Sequence, residues 1–573
     1  MKRFQRAIPS SLQSRSHAGL SILFALGAAV ACGSGGPVDD PGKDANADGV
    51  LDTLSGPFLD TNNDGRVDSI DRNGDGQPEG QLIDTDSDGI FDDVDLDGDG
   101  SGDGSGGAPP QGSGGNGNSS SAGGTVGNSG GSSSGGGPAE GSGGSAPGDC
   151  QFTITGTPAE LMPTVGVVEF SVTGLPGAVS EGKIEFGLTT EYGMEAPLDP
   201  AAPMYKTLLI GMKKQKMYNY RVTVSSGGTS CTSDNQTITT GNLRSGINEL
   251  SSKSVTGSVG KGFFVVAAKS TALIFDQDGD VVWGYAFSAG GVGGTAGIFS
   301  AKMSFDGKYM LARDLGQFDA GNQGKFFRVA MDGSDLTDFD VPGGDHHDFT
   351  IIPTGFAYIA KEAAGEFDKI FTVKDDGTGS QVFADLQPLV AAYPQAAGGS
   401  TEKSHVNAIH HWRDRDIYTV SNRESDVVGV IDSQGQVIQA FGKQATASFP
   451  TVLAEGAGST WRVQHGHDLY AEDKLLVFSN GNFMGGTSRV LHYTISGSSA
   501  TLDWEYSGAG NTPTQGDVQM MPDGNIAITS AAAGNIHVIN PQQQLQASYS
   551  NGNQGFGYAT FRSSLYGEPP DGR

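Results

Sequence analysis

From about Ser252 onward the chain repeats one design, in which a short apolar run ends in D-x-x-G and a second apolar run begins. The stretch L-I-F-D-Q-D-G-D-V-V-W (273–283) is echoed by V-G-V-I-D-S-Q-G-Q-V-I (428–438). Further units carry M-S-F-D-G (303–307), I-P-T-G (352–355) and M-P-D-G-N (521–525). Repeats spaced roughly 45 to 60 residues apart, without helical spacing of the apolar positions, predict β-propeller blades. About 310 residues at that period give six blades, with five or seven as the neighbouring counts. In such a fold the innermost strands converge on a central channel, so equivalent positions of distant blades meet in space.

Histidine follows that rule. Of ten His, His17 stands in the N-terminal leader and the other nine lie between His346 and His537. His347 precedes F-T-I-I-P-T-G, His405 precedes V-N-A-I, and His465 precedes G-H-D-L, each at the expected entry to an inner strand. Imidazole suits nucleophilic and proton-transfer work near neutral pH and is also the commonest metal ligand, so the residue type leaves both chemistries open. Arg423, in S-N-R (421–423), adds a fixed cation beside His405. His492 and His537 read as blade-filling or surface residues, and the four Trp as packing, with Trp412 and Phe349 the aromatics able to stack on an aromatic substrate.

The rest of the chain reads as a carrier. Lys2, Arg3, Arg6 and Arg15 precede an apolar run at 18–31, too short to span a membrane and laid out as a secretory signal. Its end, A-V-A-C (29–32), resembles a bacterial lipobox, which makes 1–31 a lipoprotein signal peptide and Cys32 the lipidated residue. That leaves Cys150 and Cys231 as a disulfide pair in an oxidising compartment. Residues 32–103 are Asp-rich. Five D-x-[DN]-x-D-G repeats supply the hard oxygens that calcium takes: Asp44, Asn46, Asp48, Asp52; Asp60, Asn62, Asp64, Asp68; Asp71, Asn73, Asp75; Asp84, Asp86, Asp88, Asp92; and Asp95, Asp97, Asp99. They resemble thrombospondin type 3 repeats. Between Asp39 and Asp103, 20 acids face Lys43, Arg66 and Arg72, a net of −17 out of −30 for the whole chain. Without a cation such a segment repels itself into a disordered stalk. Residues 104–148 are a Gly/Ser linker with an r.m.s. span of roughly 35 to 40 Å. Residues 149–245 alternate apolar and polar positions, and Y-N-Y-R-V (218–222) resembles a strand of fibronectin type III-like β-sandwiches, in which one Tyr forms a corner. The propeller takes 246–573, so the fold class is all-β.

The order H-D-F-x-x-x-P-x-G, H-x-N, S-x-R, Q-H-G and F-x-N-G, from about Gly260 to Pro569, resembles the bacterial arylsulfate sulfotransferase (arylsulfotransferase) family, six-bladed propellers that work outside the cytoplasm. The resemblance implies that His465, after Gln464, accepts the sulfuryl group of an aryl sulfate as a sulfo-histidine, which a phenol then resolves, independently of the nucleotide donor PAPS. It also implies site roles for His347, His405, Asn407 and Arg423. Arg423, Asn407 and His405 would bind the equatorial oxygens of the transition state, and His347 would move the phenolic proton. Ser479 stands where that family often has Asp. His467 and His346 compete with their neighbours as alternative catalytic residues, since His465 and His467 share a face on a strand.

Two other readings follow from the same residues. One is a cell-surface binding propeller without turnover; the other is a metal-dependent enzyme in which the three imidazoles join Asp348 or Asp468 around zinc or iron. The sulfotransferase reading needs calcium in the stalk and no cofactor for catalysis. It takes a small phenolic sulfate donor and a phenol acceptor as partners, and the membrane through the lipid anchor. It places the protein outside the cytoplasm, at the outer membrane or cell surface of a bacterium. A net charge of −30 with no basic patch argues against nucleic acid.

Overall fold

The computed structural model describes residues 150–287, 297–314, 324–362, 367–393, 404–455, 460–481 and 487–569, together with four short strands nearer the N-terminus. Two units result, 1–138 and 139–573. In the first, Phe58–Leu59, Ser69–Ile70, Gly80–Ile83 and Asp93–Asp95 pair antiparallel in chain order, so the acidic repeats that start at Asp60, Asp71 and Asp84 fall in sequence between strands. The repeat loops themselves, Cys32 and the linker lie outside the described residues.

The second unit is all-β, and among its described residues the one α-helix is the five-residue Gln387–Ala391. Its first part packs two sheets face to face. One holds Thr229–Thr232, Met217–Ser226, Glu181–Gly187 and Met194–Pro197, with Gln236–Thr239 also on Met217–Ser226; the other holds Gln151–Pro158, Gly166–Thr173 and Thr207–Leu209. Period-two alternation in Met217–Ser226 turns Tyr218, Tyr220, Val222 and Val224 into a common core with Phe170, Ile184 and Phe186. The Tyr218 hydroxyl accepts a hydrogen bond from Lys213 N at 2.8 Å, five residues upstream. Cys150 and Cys231 form a disulfide that ties one sheet to the other across 81 residues of sequence.

The remainder is a succession of antiparallel up-and-down meanders. Complete within the chain are Ile298–Met303 to Thr337–Val341, Gly344–Ile352 to Gln381–Asp385, Val406–Trp412 to Val437–Gly442, and His467–Ala471 to Ser499–Tyr506. Thr451–Glu455 joins the last two by pairing in parallel with the outer strand of each. The other two sheets borrow a strand. Phe263–Ala268, Thr271–Asp276 and Val281–Ala286 receive Ala559–Arg562 from the far end of the chain. Asp517–Met520 to Leu545–Ser550 receives Ser252–Val255.

Chemistry at the turns explains the repeat. In five meanders the third and fourth strands are joined by an Asx turn in which a side-chain oxygen caps backbone N–H groups, at Asp276, Asp332, Asp376, Asp432 and Asn540. Asp432 Oδ1, for example, accepts from Gln434 N at 3.0 Å and Gln436 N at 2.8 Å, and Gly435 supplies the φ of +77° that closes the turn. The D-G units at 306–307 and 523–524 and the T-G at 354–355 sit instead between first and second strands. Two kinds of turn thus share one signature.

Both faces of these sheets are buried, and each apolar cluster draws on two successive sheets. Phe326 and Leu311 meet Phe349 and Phe356; Ile352 and Ile359 meet Ile409 and Val420; Val428 and Val430 meet Leu475 and Leu491; Phe478 and Val490 meet Val518 and Ile528. Ile536, Val538 and Tyr549 then meet Phe264 and Val266, and Val265 and Trp283 meet Ile298 and Val329, which returns to the start. Phe349, expected as a stacking residue for substrate, is fully buried in this packing, edge-on to Phe326 at 5.2 Å.

The two-sheet part docks on the meanders through polar anchors. Lys213 Nζ lies 3.1, 2.8 and 2.6 Å from Asp276, Asp278 and Asp280. Burial disfavours its ammonium form, and the three carboxylates outweigh that, so its pKa stands above the ordinary lysine value. Tyr566 Oη accepts from Ile210 N at 2.6 Å and donates to Leu208 O at 3.0 Å. Lys213→Ala leaves three neighbouring carboxylates facing only Lys253 and is expected to cost about 2 kcal/mol of unfolding free energy in denaturant titrations, part of it recovered in 1 M salt.

Candidate active site

A sheet edge exposes unpaired N–H and C=O groups, and the first strand of each meander is such an edge. Here side chains of neighbouring first strands satisfy them. Asp348 Oδ1 accepts from Ser300 Oγ and Lys302 Nζ, both at 3.0 Å, and its Oδ2 accepts from Ile409 N at 3.4 Å. Asn407 Nδ2 donates to Gln464 O at 2.8 Å. Asp468 Oδ2 accepts from Met520 N at 2.8 Å, and Gln519 Oε1 from Phe561 N at 2.8 Å. Ser300 bridges Tyr558 in parallel, and the Tyr558 hydroxyl donates to Asn407 O. The first strands therefore gather, and the residues at their leading ends come together.

His347, His405 and His465 are brought into contact, although 58 and 60 residues separate them in turn. His347 sits in a β-bulge of Gly344–Ile352 with φ of +67°, a strained setting for a non-Gly residue that re-aims its ring. Its Nε2 lies 3.2 Å from His405 Nε2, and its ring centroid is 5.9 Å from that of His465. Arg423 Nη2 is 3.1 Å from His405 Nδ1 and is itself held by Glu424 Oε1 at 2.6 Å. Guanidinium only donates, so Nδ1 of His405 accepts and its ring proton sits on Nε2, pointed at His347. His405 is fixed through its backbone by Asn422, whose Oδ1 accepts from His405 N at 3.0 Å.

His465 is 1 % exposed. Its Nδ1 is 2.8 Å from Asn480 Oδ1. Burial drives its pKa down to about 3; Asn480 opposes this, Arg423 and His405 add to it, and the Val463 carbonyl opposes it weakly. The segment 461–466 that carries it is pinned throughout. Trp461 Nε1 donates to Asp426 O at 2.9 Å, Val463 N to Asp426 Oδ1 at 2.8 Å, and Gln464 Nε2 to Asn422 O at 2.9 Å. Gly466 is required because a Cβ there would meet Asp517 Oδ1 at 2.0 Å and Asp517 Cα at 2.5 Å. Ser479 does brace this segment: its hydroxyl accepts from Arg462 N at 3.0 Å and donates to Arg462 O at 3.2 Å. Asn407, expected as a donor to the transferred group, instead spends its amide on the Gln464 carbonyl.

The other expected residues lie elsewhere. His467 is fully buried deeper along the strand, its ring 4.9 Å from that of His410 and neither ring nitrogen within hydrogen-bond geometry of a partner. The side chain of His346 lies outside the described residues. Trp412 is at the opposite end of Val406–Trp412 from His405, under Arg415 at 5.3 Å. His411 stacks on Tyr418, and His492 stacks on Trp504 and bonds Tyr470 Oη at 2.6 Å. Among the described residues, three or more ligand atoms gather within 4.8 Å of one another at Asp276, Asp278 and Asp280, where Lys213 already sits, and at no group that contains His. Asp348 and Asp468 serve as clasps between strands.

Three further residues touch the cluster without a clear sequence signal. Asn480 lies in the F-x-N-G segment, which by itself assigns it no role. Arg313, 1 % exposed, donates to His347 O at 3.4 Å; its one signal was a charged pair closing the apolar run Y-M-L-A-R-D. Tyr558 had none.

Burial also holds His467 well below the ordinary His pKa, with His410 adding to it. The unfolded chain takes up a proton there below about 6.5 and the folded one does not, so this group's share of stability is present above 6.5 and declines with acid by about 1.4 kcal/mol per pH unit. Burial pushes Asp517 the opposite way. His467→Leu is expected to unfold no more easily at pH 7, since it replaces a buried polar ring by an apolar side chain, and to lose one proton's worth of acid sensitivity below pH 6.5 in denaturant titrations.

Comparison with known proteins adds the family. Curated protein sequences return no match. Solved structures resembling the chain include a nidogen/laminin complex (12% identity, 52% of this chain and 97% of that one, TM-score 0.35) and a streptogramin B lyase (15%, 55% and 95%, TM-score 0.33). A periplasmic gluconolactonase of Pseudomonas aeruginosa also does (14%, 67% and 99%, TM-score 0.31). At these scores none carries an argument. Residues 248–563 match the arylsulfotransferase (ASST) family. That span is more than half of the 573 residues and contains the whole His cluster with its clasps, and the chain belongs to the arylsulfotransferase family.

Proposed function

We propose that this chain moves a sulfuryl group from an aryl sulfate to a phenol through a covalent sulfo-histidine on His465. Family membership implies aryl sulfate sulfotransferase activity with an aryl sulfate donor and a phenol acceptor. The finer reading is carried by one observation: His465 is buried and neutral, with Nδ1 engaged by Asn480, so Nε2 is left as a lone-pair donor beside Arg423, His405 and His347. The meanders of 252–562 we read as six blades of a propeller, a reading supported by the cyclic order of clasps and shared apolar clusters.

In the first half-reaction Nε2 attacks sulfur, an N–S bond forms, and the S–O(aryl) bond breaks with its electron pair going to the aryl oxide. Charge builds on three equatorial oxygens, and Arg423, fixed by Glu424, is the cation beside them. The His347–His405 pair brings one extra proton and gives it to the aryl oxide. That proton belongs on His347, because His405 Nδ1 faces guanidinium. The two Nε2 atoms then both carry hydrogen and part, which makes room for the aryl oxygen. In the second half-reaction the pair, now neutral, takes the proton of the acceptor phenol. The phenol oxygen attacks sulfur, the N–S bond breaks, and His465 returns to its neutral form.

His465→Ala is expected to abolish covalent sulfuryl labelling, read by mass spectrometry after a chromogenic aryl sulfate, while His467→Ala keeps it; normal labelling of His465→Ala would remove His465 from the role. Arg423→Lys is expected to bind donor but transfer about 100-fold more slowly, because Lys loses the planar fork. Chelators are expected to leave transfer unchanged, whereas a metal-dependent enzyme would lose it.

We further propose that Cys32 carries a lipid anchor at a bacterial outer membrane or cell surface and that calcium orders residues 44–103, which together with the linker act as a tether. Calcium bridging of paired carboxylates would shrink the stalk. A scattering radius of residues 32–148 that is the same in calcium and in chelator would count against it.

A further inference from the structure

Asn480 holds a position that neither the motif nor the family match explains. Its Nδ2 donates to Thr512 O at 2.8 Å and to Gln515 O at 2.5 Å. Carbonyls only accept, so these two bonds fix which way the amide faces and leave Oδ1 as the atom 2.8 Å from His465 Nδ1. An oxygen that can only accept requires hydrogen on that nitrogen. Asn480 is itself fully buried, so water does not compete for the contact.

We propose that Asn480 is a positioning residue that fixes the His465 proton on Nδ1 and so keeps Nε2 unprotonated and aimed for attack, a role that rests on the sulfuryl-transfer reading above. As Nε2 bonds to sulfur the ring becomes cationic, and Nδ1–H, unable to leave, strengthens its bond to Oδ1. Around the ring stand Arg423 and His405 from the neighbouring meander and His347 from the one before it, with Asp517 behind the Gly466 backbone. Arg423 and His405 disfavour the imidazolium form, and Asn480 and the Val463 carbonyl favour it, with Asn480 the acceptor at Nδ1.

Two variants separate this role from simple bracing of the loop. Asn480→Leu removes the acceptor and both donors. Asn480→Asp removes the donors to Thr512 and Gln515 but keeps an oxygen toward Nδ1. The full-length protein with 15N-labelled His, its His465 signals assigned through His465→Gln, is expected to show hydrogen on Nδ1 at pH 7 in the wild type and in Asn480→Asp, and to lose that preference in Asn480→Leu. With a chromogenic aryl sulfate and phenol, Asn480→Leu is expected to lose about 100-fold in kcat with KM little changed, because the wrong tautomer puts hydrogen on the attacking nitrogen. Asn480→Asp is expected to recover most of kcat and to move the acid limb of the pH–rate profile upward by about one unit or more, since a carboxylate favours the imidazolium. Hydrogen on Nε2 in the wild type would overturn the proposal. So would Asn480→Leu keeping the wild-type tautomer and kcat, or both variants falling equally with the acid limb unmoved. Should Asn480→Leu not fold, the wild-type tautomer and the Asn480→Asp profile still decide. If the tautomer follows Asn480 but no aryl sulfate is turned over, the sulfuryl-transfer reading fails and the positioning of His465 stands.

Discussion

Everything at the centre of this molecule follows from the cost of an unpaired strand edge. Each meander presents one edge at which residues such as Asp348, Asn407 and Asp468 are buried and the backbone groups of a first strand have no sheet partner. The clasps of Asp348, Asp468 and Gln519 on the backbone of the next first strand settle that requirement. They also bring His347 and His465 within reach of each other. In H-D-F (347–349) one strand does both jobs: the Asp348 carboxylate reaches Ser300, Lys302 and the Ile409 N–H, and the His347 ring beside it meets His405.

The electrostatic setting follows from the same packing. Burial, more than any ion pair, holds His465 and His467 neutral. Their neighbours are arranged so that only one of the two has its ring oriented. His465 meets an amide oxygen whose direction is fixed by two carbonyls, whereas His467 meets another imidazole. The two imidazoles that sequence spacing places on one face thus stand in different surroundings.

Much of this was legible in the chain itself, and the exceptions have physical causes. The D-x-x-G signature announced strands and turns because Asp caps its own turn. It could not say which turn, since first-to-second and third-to-fourth connections use the same chemistry, and the meander ending at Ser499–Tyr506 has a Gly-Ser connection instead. His347, His405 and His465 are readable because each stands next to an apolar strand run, His405 and His465 just ahead of a strand and His347 in a bulge within one. Asn407 makes a backbone contact, to Gln464 O, that spacing did not announce: spacing places a residue near a site without fixing what its amide meets. Arg313 and Tyr558 act on residues 34 and 151 positions away, and no local pattern records such a partner; Asn480 stands only 15 residues from His465, but its F-x-N-G motif does not say which atom its amide meets. Phe349 does not stand free for substrate: the bulge at His347 shifts the register, and Phe349 packs into the sheet interface.

The strand borrowed from the far end of the chain sets an order of events. Ala559–Arg562 completes a sheet whose other strands begin at Phe263, and Tyr558, at its threshold, holds Asn407, which in turn holds the carbonyl ahead of His465. The strand translated after all the others in this part of the chain is therefore two contacts from the segment that carries His465. While the chain is still being made, the imidazoles exist but the frame that brings them together does not, so the His cluster is assembled last.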